Sequence, residues 1–63
     1  MDESSGADGM AHAAARSVAD AAVAVRALAE EYGRARLGSH EAWAYRYADE
    51  LDELADKVAR LEV

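Results

Sequence analysis

The chain has 63 residues with no cysteine and no proline, and its thirteen acidic side chains outnumber its seven basic ones, giving a net charge of −6. A chain of this length forms at most one domain, and without cysteine it has neither a disulfide framework nor a thiolate metal site. The acidic balance also argues against direct binding to a phosphate backbone, which requires clustered cations.

Alanine supplies most of the apolar composition, with seventeen alanines and no isoleucine or phenylalanine. This composition favours helix and, with only one lysine, is typical of proteins from high-GC bacteria or their phages. No apolar run is long enough to span a bilayer, and the acidic N-terminus does not resemble a secretory signal. We therefore expect a cytoplasmic protein that does not bind a membrane.

The first nine residues, MDESSGADG, are rich in glycine, serine and acid. Such a segment has too few apolar side chains to offset the entropy lost on ordering. The sequence predicts a flexible acidic tail over residues 1–9 and a helical hairpin over 10–63.

A first helix is predicted at about 10–33, ending at Gly33 as the left-handed residue that closes many helices. Arg26 and Glu30 stand four residues apart, a spacing that favours an ion pair on the solvent side. Apolar residues recur in steps of three and four, which is a heptad seam. This seam consists of Ala11, Ala14, Val18, Ala21, Val25, Leu28 and Tyr32.

A second helix is predicted at about 39–62, after a loop at 33–38. Ser39 is the predicted N-cap, and Glu41 falls in the first turn, where the helix dipole favours a negative charge. Two helices of similar length and a short loop predict an all-α, antiparallel two-helix hairpin. The seam of this second helix consists of His40, Ala44, Tyr47, Leu51, Leu54, Val58 and Leu61.

The first helix is apolar nearly all round, since Val23 lies about 160° from Val25 on a helical wheel. Two helices that touch along one stripe bury little apolar surface for so short a chain. We therefore predict a homodimer in which two hairpins form a four-helix bundle, with docking onto a larger protein as the alternative. The predicted oligomer core consists of Val18, Ala21, Val25, Leu28, Tyr32, Tyr47, Leu51, Leu54, Val58 and Leu61.

The stretch HEAWAYRY, residues 40–47, holds three of the four aromatic residues. Trp43 and Tyr47 are four apart and share the inward side near Tyr32, so these rings are predicted to close the loop end of the bundle. An alternative is a pocket for an anionic or flat ligand. The residues that would form such a pocket are Arg34, Arg36, His40 and Trp43.

Tyr45 projects away from the seam, onto a face that carries Asp49, Asp52 and Asp56. A run of carboxylates is commonly just the solvated side of a helix. A rigid aromatic side chain among carboxylates is also the composition of a contact patch for a basic protein surface. These four residues are the predicted partner-binding site.

Catalytic and metal-binding patterns are missing from the sequence. His12 and His40 lie on different helices near opposite ends of the hairpin, and the serines have no evident base. We therefore expect no enzymatic activity, no metal and no cofactor. The predicted function is a noncatalytic helical interaction module that self-associates and acts as an adaptor, docking element or small regulator.

Two other functions are compatible with the sequence. One is a small acidic inhibitor or nucleic-acid mimic, for example from a phage, that blocks a basic site on a larger protein. The other is a small-ligand or metal-binding bundle.

Overall fold

The computed structural model describes residues 3–61, which form two α-helices, α1 at Glu3–Arg34 and α2 at Gly38–Arg60. The helices pack against each other along α2, and the Cα atoms extend over 54 × 13 × 8 Å. The molecule is therefore long and only one helix layer thick. This confirms the predicted all-α, two-helix hairpin.

Helix α1 begins at Glu3 instead of Met10, so residues 3–9 of the predicted tail are helical in the structure. Extending an existing helix needs no new nucleus, which explains how a segment without a strong apolar pattern continues it. Residues 1 and 2 lie outside the described part, and the flexibility of the segment stays a prediction. Because α1 has 32 residues and α2 has 23, α1 extends about 14 Å beyond α2.

A tight turn joins the helices, and Arg36 is its left-handed residue, with a φ of 61°. The N–H of Leu37 donates to the Tyr32 carbonyl at 2.9 Å, and the N–H of Arg36 donates to the Gly33 carbonyl at 3.1 Å. These two bonds form a Schellman motif. The prediction that Gly33 would be the left-handed residue was wrong, because α1 continues through Gly33 to Arg34.

Gly33 instead provides space for the first turn of α2. A Cβ atom at this position would lie 2.6 Å from Oε2 of Glu41, closer than van der Waals contact allows. The Glu41 carboxylate occupies the space beside Gly33, and any larger residue there would displace it.

The N-cap of α2 is Leu37, and no side chain caps the helix. The prediction of Ser39 as N-cap was wrong, because the Schellman turn passes directly into α2 and makes the loop shorter than expected. Glu41 does lie in the first turn, as predicted. Its N–H donates to the Leu37 carbonyl at 2.9 Å.

Every buried residue among the described side chains is an alanine. Among the described side chains no large one is fully buried, whereas Ala22, Ala29 and Ala48 are inaccessible to solvent. Small side chains allow two helix axes to approach closely. The buried residues are Ala15, Ala22, Ala29, Ala44, Ala48 and Ala55.

The predicted seams are displaced from this alanine contact and share only Ala44 with it. Because α1 is apolar nearly all round, periodicity did not determine which stripe would face α2, and the smallest residues permit the closest packing. The seam positions that the hairpin leaves exposed are Ala14, Ala21, Leu28, His40, Tyr47, Leu54 and Leu61.

Arg26 connects the helices instead of pairing with Glu30. Its Nη2 atom lies 3.1 Å from Oδ1 of Asp49, and it also pairs with Asp52. The cross-helix pair forms because the displaced seam turns Arg26 toward α2. The side of the hairpin that carries Arg26, Asp49 and Asp52 is therefore charged.

Candidate interaction surfaces

The opposite side of the hairpin is a continuous apolar surface, which we call the apolar face. On each helix it lies next to the alanine contact, on the side away from Arg26, and none of its positions is Asp, Glu, Lys or Arg. Its large side chains Leu28, Trp43, Tyr47, Leu54 and Leu61 remain between 46% and 78% exposed. The face consists of Ala14, Val18, Ala21, Val25, Leu28 and Tyr32 on α1 and His40, Trp43, Tyr47, Leu51, Leu54, Val58 and Leu61 on α2.

An open groove of about 450 Å³ lies in the apolar face at the loop end. Tyr32 and His40 meet across it with ring centroids 5.2 Å apart. Trp43 stacks on Tyr47 at 5.8 Å, and the guanidinium carbon of Arg46 lies 5.4 Å from the Trp43 ring centroid. Trp43 thus contacts Tyr47 and Arg46 while it remains 51% exposed.

The groove includes only part of the ligand pocket suggested by the sequence. His40 and Trp43 line it, but Arg34 and Arg36 do not. Arg34 pairs with Glu31 along α1, and Arg36 occupies the turn. The groove is lined mainly by apolar atoms, so it provides apolar contact, and the ligand pocket stays a prediction.

Sequence reasoning missed the contribution of α1 to this groove. Val25, Leu28 and Tyr32 line its α1 side. The signal was present in the seam, where these three residues follow each other in steps of three and four. Tyr32 was predicted to lie beside Trp43 and Tyr47 at the loop end, but Val25 and Leu28 were assigned only to the oligomer core.

The second surface is the acidic face, formed by Tyr45, Asp49, Asp52 and Asp56 on the Arg26 side of α2. Tyr45 is 38% exposed, less than Tyr47 at 51%, so its role as a contact residue stays a prediction. Arg26 pairs with Asp49 and Asp52, and Arg60 lies 4.0 Å from Asp56. The face is therefore acidic but partly neutralised by arginines of the same chain.

The hydrogen bond from Arg26 to Asp52, and then the one to Asp49, raise the pKa of the Arg26 guanidinium above its ordinary value. A raised pKa favours the charged form, so Arg26 stays protonated at any pH where the protein is handled. The pairing of Arg26 with Asp52 and Asp49 therefore stabilises the folded protein fully at any pH below the ordinary pKa of arginine. This stabilisation would be lost only in stronger alkali.

Within residues 3–61, no three His, Asp or Glu side chains converge to hold a metal ion. Neither helix is long and apolar enough, over the same residues, to cross a membrane. No protein-family model matches the chain, and neither a curated protein nor a solved structure shows significant similarity to it. Interpretation of the function therefore rests on the two surfaces.

Proposed function

We propose that this protein is a noncatalytic helical interaction module that self-associates through the apolar face and presents the acidic face to a protein partner with a basic surface. The proposal rests on where the hairpin places small and large apolar side chains. The contact within the hairpin contains alanine, while large apolar residues such as Trp43 and Leu54 lie outside it, half exposed. A second layer of helices would bury them.

The apolar face is large enough for a stable dimer. Helix α2 has 23 residues, so the shared length of the hairpin is about 35 Å, and two helices side by side are about 20 Å wide. Covering this face buries roughly 700 Å² on each chain, or roughly 1,400 Å² in total, which is the size of a specific protein–protein interface.

Two matched variants test self-association. Leu54→Arg places a charge on the apolar face, whereas Val23→Arg places one at an apolar residue that is 65% exposed on the other side of α1. We expect Leu54→Arg to weaken association by roughly a hundredfold, since the interface would bury an unpaired charge. Val23→Arg should associate as the unmodified protein does. Equal sedimentation behaviour of the two variants would contradict the proposal.

A dye-labelled octa-arginine peptide tests the acidic face. Replacing Asp49, Asp52 and Asp56 by asparagine removes three charges but leaves oxygen acceptors for Arg26, so the hairpin should be retained. We expect the affinity measured by fluorescence anisotropy to fall roughly tenfold.

The matched control removes three charges outside the acidic face, through Asp20→Asn, Glu31→Gln and Glu53→Gln. This control variant should bind octa-arginine nearly as well as the unmodified protein. Equal losses of affinity in the two variants would mean that only net charge matters and that the acidic face is not a binding surface.

A further inference from the structure

Two apolar faces can meet about a twofold axis in two ways. If the loops lie at the same end, α1 of each copy packs on α2 of the other. If the loops lie at opposite ends, α1 packs on α1 and α2 on α2, again antiparallel. Both arrangements bury the same face, so the side chains along that face decide between them.

Side-chain size changes along the apolar face. The loop end carries Tyr32, Trp43 and Tyr47, which line the groove. Toward the other end the α1 side chains of the face become smaller, as Ala21, Val18 and Ala14 follow one another. The distance between packed helices depends on the side chains between them, and protein interiors are packed without gaps.

With loops at the same end, the rings of both copies would meet and hold the helices apart there, while Ala14 and Val18 of α1 would face only the aliphatic Val58 and Leu61 of the other copy. With loops at opposite ends, the ring-bearing end of each copy faces the end of the other copy that carries no aromatic residue on this face. Centred on the shared length, this arrangement places Tyr32 beside Ala14 of the second copy, and Leu28 beside its Val18. Bulky residues then face small ones where α1 packs on α1, and the rings of α2 face Leu51, Leu54 and Val58 of the second copy, so side-chain volume is spread evenly along the interface.

Charge on the outer flanks favours the same arrangement. The flank of α1 beside the apolar face is uncharged around Ser17 and Ala24, whereas the flank of α2 carries Arg46, Glu50 and Lys57. Packing α1 on α2 would place the charged flank against the uncharged one, where Arg46, Glu50 and Lys57 would find no charged partner in the second copy. Packing like helices together keeps the charged flanks beside each other at the solvent edge.

Two exposed apolar residues outside the apolar face also gain a contact. Met10 is 75% exposed and Leu37, in the turn, is 44% exposed. With loops at opposite ends, Met10 of one copy lies beside the turn of the other. With loops at the same end, Met10 lies beyond the last residue of α2 of either copy.

From these three observations we propose that the occupant of the apolar face is a second copy of this chain, docked with its loop at the opposite end, so that its α1 closes the Tyr32–Trp43 groove. This rests on the self-association proposed above. In a single copy the groove is only one half of the interface. Ala14, Val18 and Val58 of the second copy then fill it.

Pulsed electron paramagnetic resonance tests the orientation. The chain has no cysteine, so Ala35→Cys in the turn and Ala24→Cys near the middle of α1 each introduce a single, exposed spin-label site. With loops at opposite ends the two labels at Ala35 should lie about 40 Å apart, twice the distance from the centre of the shared helices to the turn. The labels at Ala24 should lie within about 25 Å.

The two sites separate failure of the orientation from failure of self-association. A short distance at both Ala24 and Ala35 would overturn the proposed orientation and leave the dimer intact. An absence of dipolar coupling at Ala24, at the highest concentration accessible, would mean that no dimer forms and would overturn both proposals. Only the combination of a short Ala24 distance and a long Ala35 distance supports the inference.

Discussion

Arg36 occupies the left-handed position of the turn, where its φ is 61°. This backbone conformation brings Cβ close to the following carbonyl oxygen, a contact that glycine lacks. The Schellman hydrogen bonds of Leu37 and Arg36 hold the residue there. The backbone at Arg36 is therefore strained, and the rest of the folded hairpin offsets this strain.

We expect Arg36→Gly to raise the free energy of unfolding by about 1 kcal/mol, because glycine adopts this φ without steric cost. Arg36→Ala is the matched control, since it removes the guanidinium but keeps Cβ. Urea unfolding followed by circular dichroism measures both. If Arg36→Gly were no more stable than Arg36→Ala, strain at this position would not contribute to stability.

At the scale of the helices, contact depends on alanine at positions where a larger residue has no space. Ala22 is inaccessible to solvent, whereas Ala27, on the same helix, is exposed.

We expect Ala22→Leu to lower the free energy of unfolding by about 1–3 kcal/mol, because the added atoms push the helices apart. Ala27→Leu, at an exposed residue away from the apolar face, should change it by less than about 0.5 kcal/mol, as surface substitutions usually do. Thermal unfolding of both variants has to be measured at one protein concentration, since association adds to stability. A tolerated Ala22→Leu would contradict the close alanine contact.

The helices, their order and the antiparallel hairpin could be predicted, because long periodic segments and a glycine-containing break are strong local signals. The stripe of α1 that faces α2 could not be predicted, because alanine on several sides of this helix makes the apolar periodicity ambiguous. The cross-helix pairing of Arg26 with Asp49 depends on that choice and was missed for the same reason. Of the groove, only His40 and Trp43 were assigned to a common pocket.

At the scale of the whole molecule, the hairpin has one charged side and one apolar side and almost no interior. Two copies joined through the apolar face would acquire a core made of Leu, Val, Tyr and Trp, with both acidic faces turned outward. In this arrangement folding and assembly are coupled, because the large side chains are buried only when the second copy binds.

Sedimentation equilibrium over a range of concentrations, with circular dichroism on the same samples, tests the coupling of folding and assembly most directly. We expect a species of twice the 6.7 kDa chain mass that loses helicity as dilution drives it to monomer. A monomer that keeps its full helicity at micromolar concentration would contradict the central claim, because the hairpin would then be stable with its apolar face uncovered.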